Sequence, residues 1–369
     1  MYALLIFLVT ILIVSLIAAL LAAALVIAER YIADYGQCTL TLNSQRDLSV
    51  QGGKPLLTVL REEKIFIPSA CGGRGTCGVC KVNVTDGGGP ILPTETPFLT
   101  QEEIADDVRL SCQIKVRGDL AVHIPEELFN VQEFAARCVQ IEELTYDMNR
   151  FRFELTEPAT IEYVPGQYVQ LLCPRYKGNA EEVYRAYSIA SDPKQKNIID
   201  LIIRRVPNGI CTTWCFEYLK QGDTVKMNGP YGQFCLSRTE APMVFVAGGS
   251  GMAPFVTILH AMKNTGNSRQ AEYFFGANTT ADLCLTGEMK AFEQALPNFT
   301  FVPVVARPDE SDNWTGETGL VTEAVQRRYT DLSGHEGYLC GSPGMIDAAA
   351  KVFTSLGMPE DKIYYDKFA

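Results

Sequence analysis

Cys71, Cys77, Cys80 and Cys112 fall in the pattern C-x5-C-x2-C-x31-C, and the first three crowd into one loop, Cys71-Gly72-Gly73-Arg74-Gly75-Thr76-Cys77-Gly78-Val79-Cys80. Thiolates that must converge on one point from a short loop suit a [2Fe-2S] centre, whose sulfides take hydrogen bonds from backbone N–H groups. Glycines at 72, 73, 75 and 78 permit that close approach. Zinc is the alternative, but zinc knuckles usually pair C-x2-C with a second such pair or with histidines. The chain has no second pair and only three histidines. A disulfide framework fits less well, since nothing else reads as secreted.

Val246-Ala247-Gly248-Gly249-Ser250-Gly251-Met252-Ala253-Pro254 follows an apolar strand pattern and opens a helical one. In that setting glycines let a phosphate approach backbone N–H groups at a helix start. Alone, such a turn could be purely structural. Cys340-Gly341-Ser342-Pro343-Gly344 repeats the arrangement after another apolar strand, and two such strand ends in one parallel sheet would flank a cleft at its carboxyl edge. Arg185-Ala186-Tyr187-Ser188 combines a guanidinium suited to phosphate, a ring able to stack on a planar cofactor, and a hydroxyl. Gly209-Ile210-Cys211-Thr212-Thr213 offers hydroxyls and N–H groups for a pyrophosphate at a helix start. Cys211 and Cys215 have helical spacing and read as ordinary buried thiols.

The elements that must position these residues change character along the chain. Residues 1–28 carry no charge and are long enough to span a bilayer before Glu29 and Arg30 end the run. The absence of a basic leader favours a retained anchor, residues 1–30, over a cleaved signal. One span without an acidic residue cannot itself form an ion path. Residues 36–127 alternate short strands with turns and carry a helix at Leu56–Glu63 and a capped turn at Thr100. Residues 131–237 are strand-rich with regular turn punctuation, as in a small barrel. Residues 241–369 alternate strands with helices, which implies a parallel sheet. The fold class expected is therefore multidomain: a single N-terminal transmembrane helix, an α+β domain, an antiparallel β-barrel and an α/β parallel-sheet domain. A formal net charge of -11 disfavours nucleic acid as a partner. The eight cysteines outside the motif are scattered, as in a reduced, cytosolic protein.

The order of ferredoxin-type loop, Arg-x-Tyr-Ser, Gly-Gly-x-Gly-x-Ala-Pro and Cys-Gly-x-Pro resembles the ferredoxin-NADP reductase superfamily with an N-terminal β-grasp cluster domain. With the anchor, Ile91-Leu92-Pro93-Thr94-Glu95, Asn313-Trp314-Thr315-Gly316 and the tail Tyr365-Asp366-Lys367-Phe368-Ala369, the chain is similar over essentially its full length to the F subunits of sodium-translocating NADH:quinone oxidoreductases. That resemblance implies a membrane-anchored NADH dehydrogenase that passes electrons from NADH through FAD to a [2Fe-2S] cluster held by Cys71, Cys77, Cys80 and Cys112. Integral-membrane partner subunits and a quinone would follow. It further implies that Arg185 contacts the FAD pyrophosphate, Tyr187 packs on the isoalloxazine, and Ser188 hydrogen-bonds near flavin N5. Gly209, Thr212 and Thr213 would help bind phosphate. Gly248, Gly249, Gly251 and Pro254, with Gly341, would cradle NADH. Cys340 would lie near the nicotinamide, and Phe368 would cover the flavin face. Because NADH is cytosolic, the catalytic domains would face the cytoplasm of a bacterial-type inner membrane.

The chain also departs from the family pattern. The stretches between Tyr168 and Arg185 and between Arg205 and Gly209 are shorter, and Ser342 stands at a family proline. Gly276-Ala277-Asn278-Thr279 replaces Gly-Ala-Arg-Ser. With Asp282 nearby and no Lys or Arg from 276 to 284, a 2′-phosphate would find little to pair with, which favours NADH over NADPH. A reductase feeding a monooxygenase or another soluble acceptor is the alternative reading of the same core.

Overall fold

A computed structural model describes residues 2–32 and 35–368. Met1 and Ala369, which begin the expected anchor and end the C-terminal motif, lie outside the described residues. The chain forms two compact units, Met1–Ile67 with Gly73–Phe129, and Pro68–Gly72 with Asn130–Ala369.

The first unit begins with helix α1, Tyr2–Ile32. Its segment Ile6–Val26 has a mean hydropathy of 3.0 and no buried surface, and by length and composition it can cross a membrane. Five strands follow: β1 Gln37–Leu42, β2 Arg46–Gln51, β3 Lys81–Asp86, β4 Val108–Leu110 and β5 Leu120–His123, in the order β2-β1-β5-β3-β4. β1 and β5 run parallel at the centre and the other pairs are antiparallel. Helix α2, Leu56–Glu62, buries Leu56, Leu57, Val59 and Leu60 against this sheet. Short helix α3, Gln101–Ala105, opens on the capping box that Thr100 and Glu103 predict, with both reciprocal bonds made (3.1 and 2.9 Å). This is the β-grasp arrangement expected of the region.

In the second unit β6 Gln132–Thr145, β7 Met148–Glu157, β8 Tyr168–Cys173, β9 Val183–Ser188, β10 Ile198–Arg204 and β11 Thr224–Tyr231 form an antiparallel sheet ordered β10-β7-β6-β11-β8-β9. Its ends curl together, and one isolated bridge between Ile189 and Leu201 closes the ring, backed by the Ala190 N–H to Asp200 carbonyl bond (2.8 Å). Helix α4, Ile210–Glu217, packs Cys211, Trp214 and Cys215 into the barrel core.

The rest of this unit is a parallel sheet of β12 Met243–Gly248, β13 Ala271–Ala277, β14 Phe299–Val305, β15 Glu317–Thr318, β16 Glu336–Gly341 and β17 Ile363–Lys367, ordered β15-β14-β13-β12-β16-β17. Successive residues of β12 face opposite sides, so Phe245 and Ala247 join one core and Val244 and Val246 the other. Helices α5 Ala253–Thr265 and α6 Thr286–Ala295 cover the first core, through Phe255 and Phe292. Helices α7 Val321–Arg328 and α8 Pro343–Ser355 cover the second, through Val325 and Phe353. Coverage on both faces explains why β12 is apolar without alternation.

Candidate functional site

Cys80 immediately precedes β3 and Cys112 follows β4, and the pairing of Lys81 with Leu110 brings the two thiols together. The Cys80 thiol hydrogen-bonds the Cys112 sulfur. Gln113 Nε2 lies 3.5 Å from Cys112 Sγ. Glycines 73, 75 and 78 all have positive φ (91°, 72° and 67°), which lets the loop fold over Cys112, Gln113 and Phe98. Cys77 is half-buried in that loop, whereas Cys71 sits in the segment Pro68–Gly72, which packs with the second unit. Among the described residues, no group of three or more metal-ligating side chains is already gathered. The strand that leads to Cys112 is anchored by a fully buried ion pair. Arg109 Nη2 lies 2.6 Å from Glu95 Oε2, and Glu95 also accepts from the Leu110 and Leu92 N–H groups (3.0 and 2.9 Å). Burial pushes the Glu95 carboxyl up, but Arg109 and these N–H groups outweigh it and hold it below its ordinary value.

Strand β9 presents Arg185, Tyr187 and Ser188. The Arg185 guanidinium donates to the Tyr184 carbonyl (2.8 Å), and no carboxylate pairs with it among the described residues. A half-buried cation without a counter-ion fits a phosphate ligand. Gly72 has φ +69°, and a Cβ there would stand 2.6 Å from the Tyr184 carbonyl oxygen, so glycine lets this segment lie against the strand that carries Arg185. Tyr187 is half-buried, with its hydroxyl against the Cys211 thiol. Ser188 Oγ donates to Asp366 Oδ2 at 3.4 Å. Asp366 in turn pairs in register with Cys340 across β16 and β17. Burial pushes the Asp366 carboxyl above its ordinary value against the Ser188 hydrogen bond. Burial, with the Asp366 charge adding to it, pushes the Cys340 thiol up. Thus Ser188, Cys340 and Asp366 form one row from the barrel into the parallel sheet. The Phe368 N–H bonds the Gly341 carbonyl at 3.0 Å, and its ring packs on the adjoining core.

At the start of α4 the Thr212 hydroxyl turns back into its own loop, donating to the Val206 carbonyl and accepting from the Val206 N–H (3.2 Å each). Gly209 is required there, since a Cβ would stand 2.5 Å from Thr212 Oγ1. Thr213 is half-buried one residue further on.

The carboxyl ends of β12, β13 and β16 open into a cleft of about 250 Å³ lined by Gly248, Gly249, Asn278, Asp282, Ser342 and, from the barrel, Arg204. Gly251 lies against the end of β16. A Cβ there would stand 2.3 Å from the Cys340 carbonyl, so glycine alone allows the turn after β12 to meet the end of β16. Pro254 occupies the first turn of α5, where its missing N–H costs nothing. Asp282 caps its own turn through Thr279 (2.9 Å) and accepts from the Tyr146 hydroxyl (3.0 Å).

The sequence alone assigns no role to Asp366, Arg204 or Glu95. Asp366 has one signal, its position two residues before Phe368. Arg204 becomes visible only when barrel and sheet are juxtaposed. Glu95 ends the Ile91–Glu95 motif, with nothing local to predict its burial.

Comparisons with known proteins agree with this layout. Family models described as 2Fe-2S iron-sulfur cluster binding domain, oxidoreductase FAD-binding domain and oxidoreductase NAD-binding domain match residues 40–117, 135–235 and 245–351. The chain is 32% identical to the F subunit of the Na(+)-translocating NADH-quinone reductase of Pseudomonas paraeruginosa, covering 93% of this chain and 94% of that protein. It is 33% identical to the corresponding F subunit of Psychrobacter arcticus over 92% and 93%. Among solved structures, an Amycolatopsis cytochrome P450 reductase, GcoB, shares 28% identity with a TM-score of 0.72 over 90% of this chain and 98% of that one. A ferredoxin reductase of carbazole 1,9a-dioxygenase shares the fold, at 24% identity and a TM-score of 0.69, over 90% and 99%. The chain is accordingly an NADH oxidoreductase whose cofactors are FAD and a 2Fe-2S cluster.

Proposed function

Because the chain belongs to the family of sodium-translocating NADH-quinone reductase F subunits, we propose that it is the NADH-oxidising, membrane-anchored module of a multi-subunit quinone reductase. The row Ser188–Asp366–Cys340 carries the reading, since it joins the barrel to the carboxyl edge of the parallel sheet. When bound, FAD accepts a hydride from NADH and releases electrons singly, the form that a 2Fe-2S cluster can take.

Around those cofactors, Arg185 would hold the FAD pyrophosphate, Tyr187 would pack on the ring, and Ser188 would donate to its edge. Gly209 and Thr213 would offer backbone and hydroxyl donors to phosphate, while Thr212 would shape the loop. Gly248, Gly249, Gly251, Pro254 and Gly341 would let NADH approach, with Cys340 closing the nicotinamide end. Phe368, held through its backbone N–H and apolar packing, would cover the flavin face and swing aside for the nicotinamide. Cys71, Cys77, Cys80 and Cys112 would supply the four thiolates. Helix α1 would place the chain in an inner membrane with the catalytic regions in the cytoplasm, feeding integral-membrane subunits, a quinone and, in the assembled complex, sodium transport.

The test is an anaerobic NADH titration of the detergent-purified chain, following flavin absorbance and the EPR signal of the reduced cluster together. Flavin bleaching followed by growth of a rhombic cluster signal is expected. A flavin that NADH does not bleach, or an intact cluster that stays oxidised throughout, overturns the relay. Likeness to a P450 reductase over 90% of the chain supports a second reading, delivery to a monooxygenase or other soluble acceptor. Rapid reduction of a soluble acceptor, with none of membrane quinone in reconstituted complex, would select it.

A further inference from the structure

Three buried thiols converge beneath the flavin-facing strand. Cys173 ends β8, and Cys211 and Cys215 stand one turn apart on α4, with exposures of 0%, 2% and 1%. Cys173 Sγ lies 3.8 Å from the carbonyl of Ile210, the residue before Cys211. The Cys211 sulfur is contacted by the thiols of Cys173 and Cys215 and by the Tyr187 hydroxyl. Nothing in the electron relay uses these groups.

We propose that Cys173 and Cys211 are an oxidation site at which a hydroperoxide forms a disulfide, and that this bond loosens FAD by disturbing Tyr187. Hydrogen bonds from Cys173 and Cys215 hold the Cys211 thiol well below its ordinary range, helped by Tyr187 and the Arg185 charge, and favour its thiolate. The thiols of Cys173 and Cys215 are pushed the other way, Cys173 first by its hydrogen bond to Cys211 and Cys215 first by burial. Contact between the Cys173 and Cys211 sulfurs places one thiol to meet the peroxide and its neighbour to resolve the product. The Cys211 thiolate attacks one peroxide oxygen and the O–O bond breaks. The departing hydroxide takes up a proton as water, leaving a sulfenic acid. Cys173 sulfur then attacks the sulfenic sulfur, the S–S bond forms, the S–O bond breaks, and a second water leaves with the thiol proton. Two thiols lose two electrons in all, and one hydrogen peroxide becomes two waters.

The disulfide draws the sulfurs to about 2 Å. It also removes the Cys211 thiol that the Tyr187 hydroxyl contacts. Since Arg185 supports the thiolate, neutralising it with the FAD pyrophosphate slows oxidation, so cofactor loading protects the site. The effect on FAD rests on the flavin assignments of the proposed function, whereas the disulfide does not.

The experiment treats the full chain in detergent, FAD-loaded and FAD-stripped, with hydrogen peroxide, then alkylates, digests and maps thiols by mass spectrometry. FAD dissociation constants are measured alongside. A Cys173–Cys211 linked peptide is expected. Cys211 should be lost at least about tenfold faster than Cys284, a buried thiol against Met252 Sδ (3.8 Å) that burial raises to about 12. The stripped protein should react faster than the loaded one, and the linked protein should bind FAD about tenfold more weakly until dithiothreitol restores it. Cys211→Ser, or Cys173→Ser if that variant does not fold, should make FAD binding insensitive to peroxide. Absence of the link, a link only between Cys211 and Cys215, or a Cys211 rate no higher than that of Cys284 overturns the proposal. If the reduced chain binds no FAD while the link forms, the flavin assignment falls and the oxidation site stands.

Discussion

Cys80 and Cys112 in the first unit, and Cys173, Cys211 and Cys215 in the second, are both sets of buried thiols in mutual contact, yet opposite kinds of backbone hold them. The first set is wrapped by a loop with positive φ at Gly73, Gly75 and Gly78 and braced by a buried ion pair. The second set sits on a regular strand and helix with no glycine among its nearest chain neighbours except Gly209. A loop of glycines can turn N–H groups toward an inorganic group, whereas a packed strand and helix can only bring side chains to each other. Cysteine content alone therefore says little, and the local freedom of the backbone separates a loop able to wrap an inorganic group from side chains that meet only one another.

Substituting one member of each set tests that lesson most severely. In Cys112→Ser the EPR signal of the NADH-reduced cluster should fall to background and electron delivery to the membrane acceptor by about 100-fold or more, while FAD content stays unchanged. Loss of FAD together with the cluster would mean that the two sets are not independent. Next in size, Glu95→Gln leaves Arg109 buried without its counter-charge and should cost about 3–5 kcal/mol in denaturant unfolding of the first unit. The pH dependence follows from the sign of the shift. The folded-state value of Glu95 is depressed, so its contribution is present above the ordinary 4.5 and is lost as pH falls through the folded value. Wild type and Glu95→Gln should converge in stability only in acid.

Asp366 sharpens the contrast from the opposite direction. Its folded-state value is raised above 3.8, so the native state binds the extra proton and stability declines as pH rises from there through the folded value. Melting of the FAD-stripped protein should show Asp366→Asn gaining a few degrees over wild type at neutral pH and nothing near pH 3.8. A gain of equal size at both pH values would place its cause outside this carboxylate. Smallest of all, Cys215→Ser should shift unfolding by about 1 kcal/mol and leave FAD and cluster content intact. Cluster loss in that variant would break the distinction between the two sets.

The periodicity of β12 and of the strands after it is long and regular, so the parallel sheet is legible without coordinates. The antiparallel barrel is legible from its turn punctuation. The ends of elements slip by a residue, as at Glu63, which the pattern includes in the helix but which stands as its C-cap, the helix itself ending at Glu62. Cys71, Cys77, Cys80 and Cys112 stand out in the sequence because their spacing is itself the signal. Asp366, Arg204 and the thiol triad are not, because each depends on a neighbour distant in the chain: Ser188, Gly249 and the β8–α4 contact respectively. Thr212 shows a subtler limit. Its residue type suits a phosphate, but its hydroxyl already closes the loop that precedes it.

The single bridge that closes the barrel sets the rate at which that ring can breathe. Every other join in the sheet is a ladder of several paired residues, whereas the Ile189–Leu201 seam has one pair, with the Ala190 bond and the Asp200 N–H to Ser191 Oγ bond (2.6 Å) beside it. Under thermal agitation a ring yields at its shortest join, so the amide of Ala190 becomes a clock, exchanging with solvent sooner than those of β7 or β11. Ser188 lies one residue from that seam, and the lifetime of the closed ring bounds how long its hydroxyl can remain aimed.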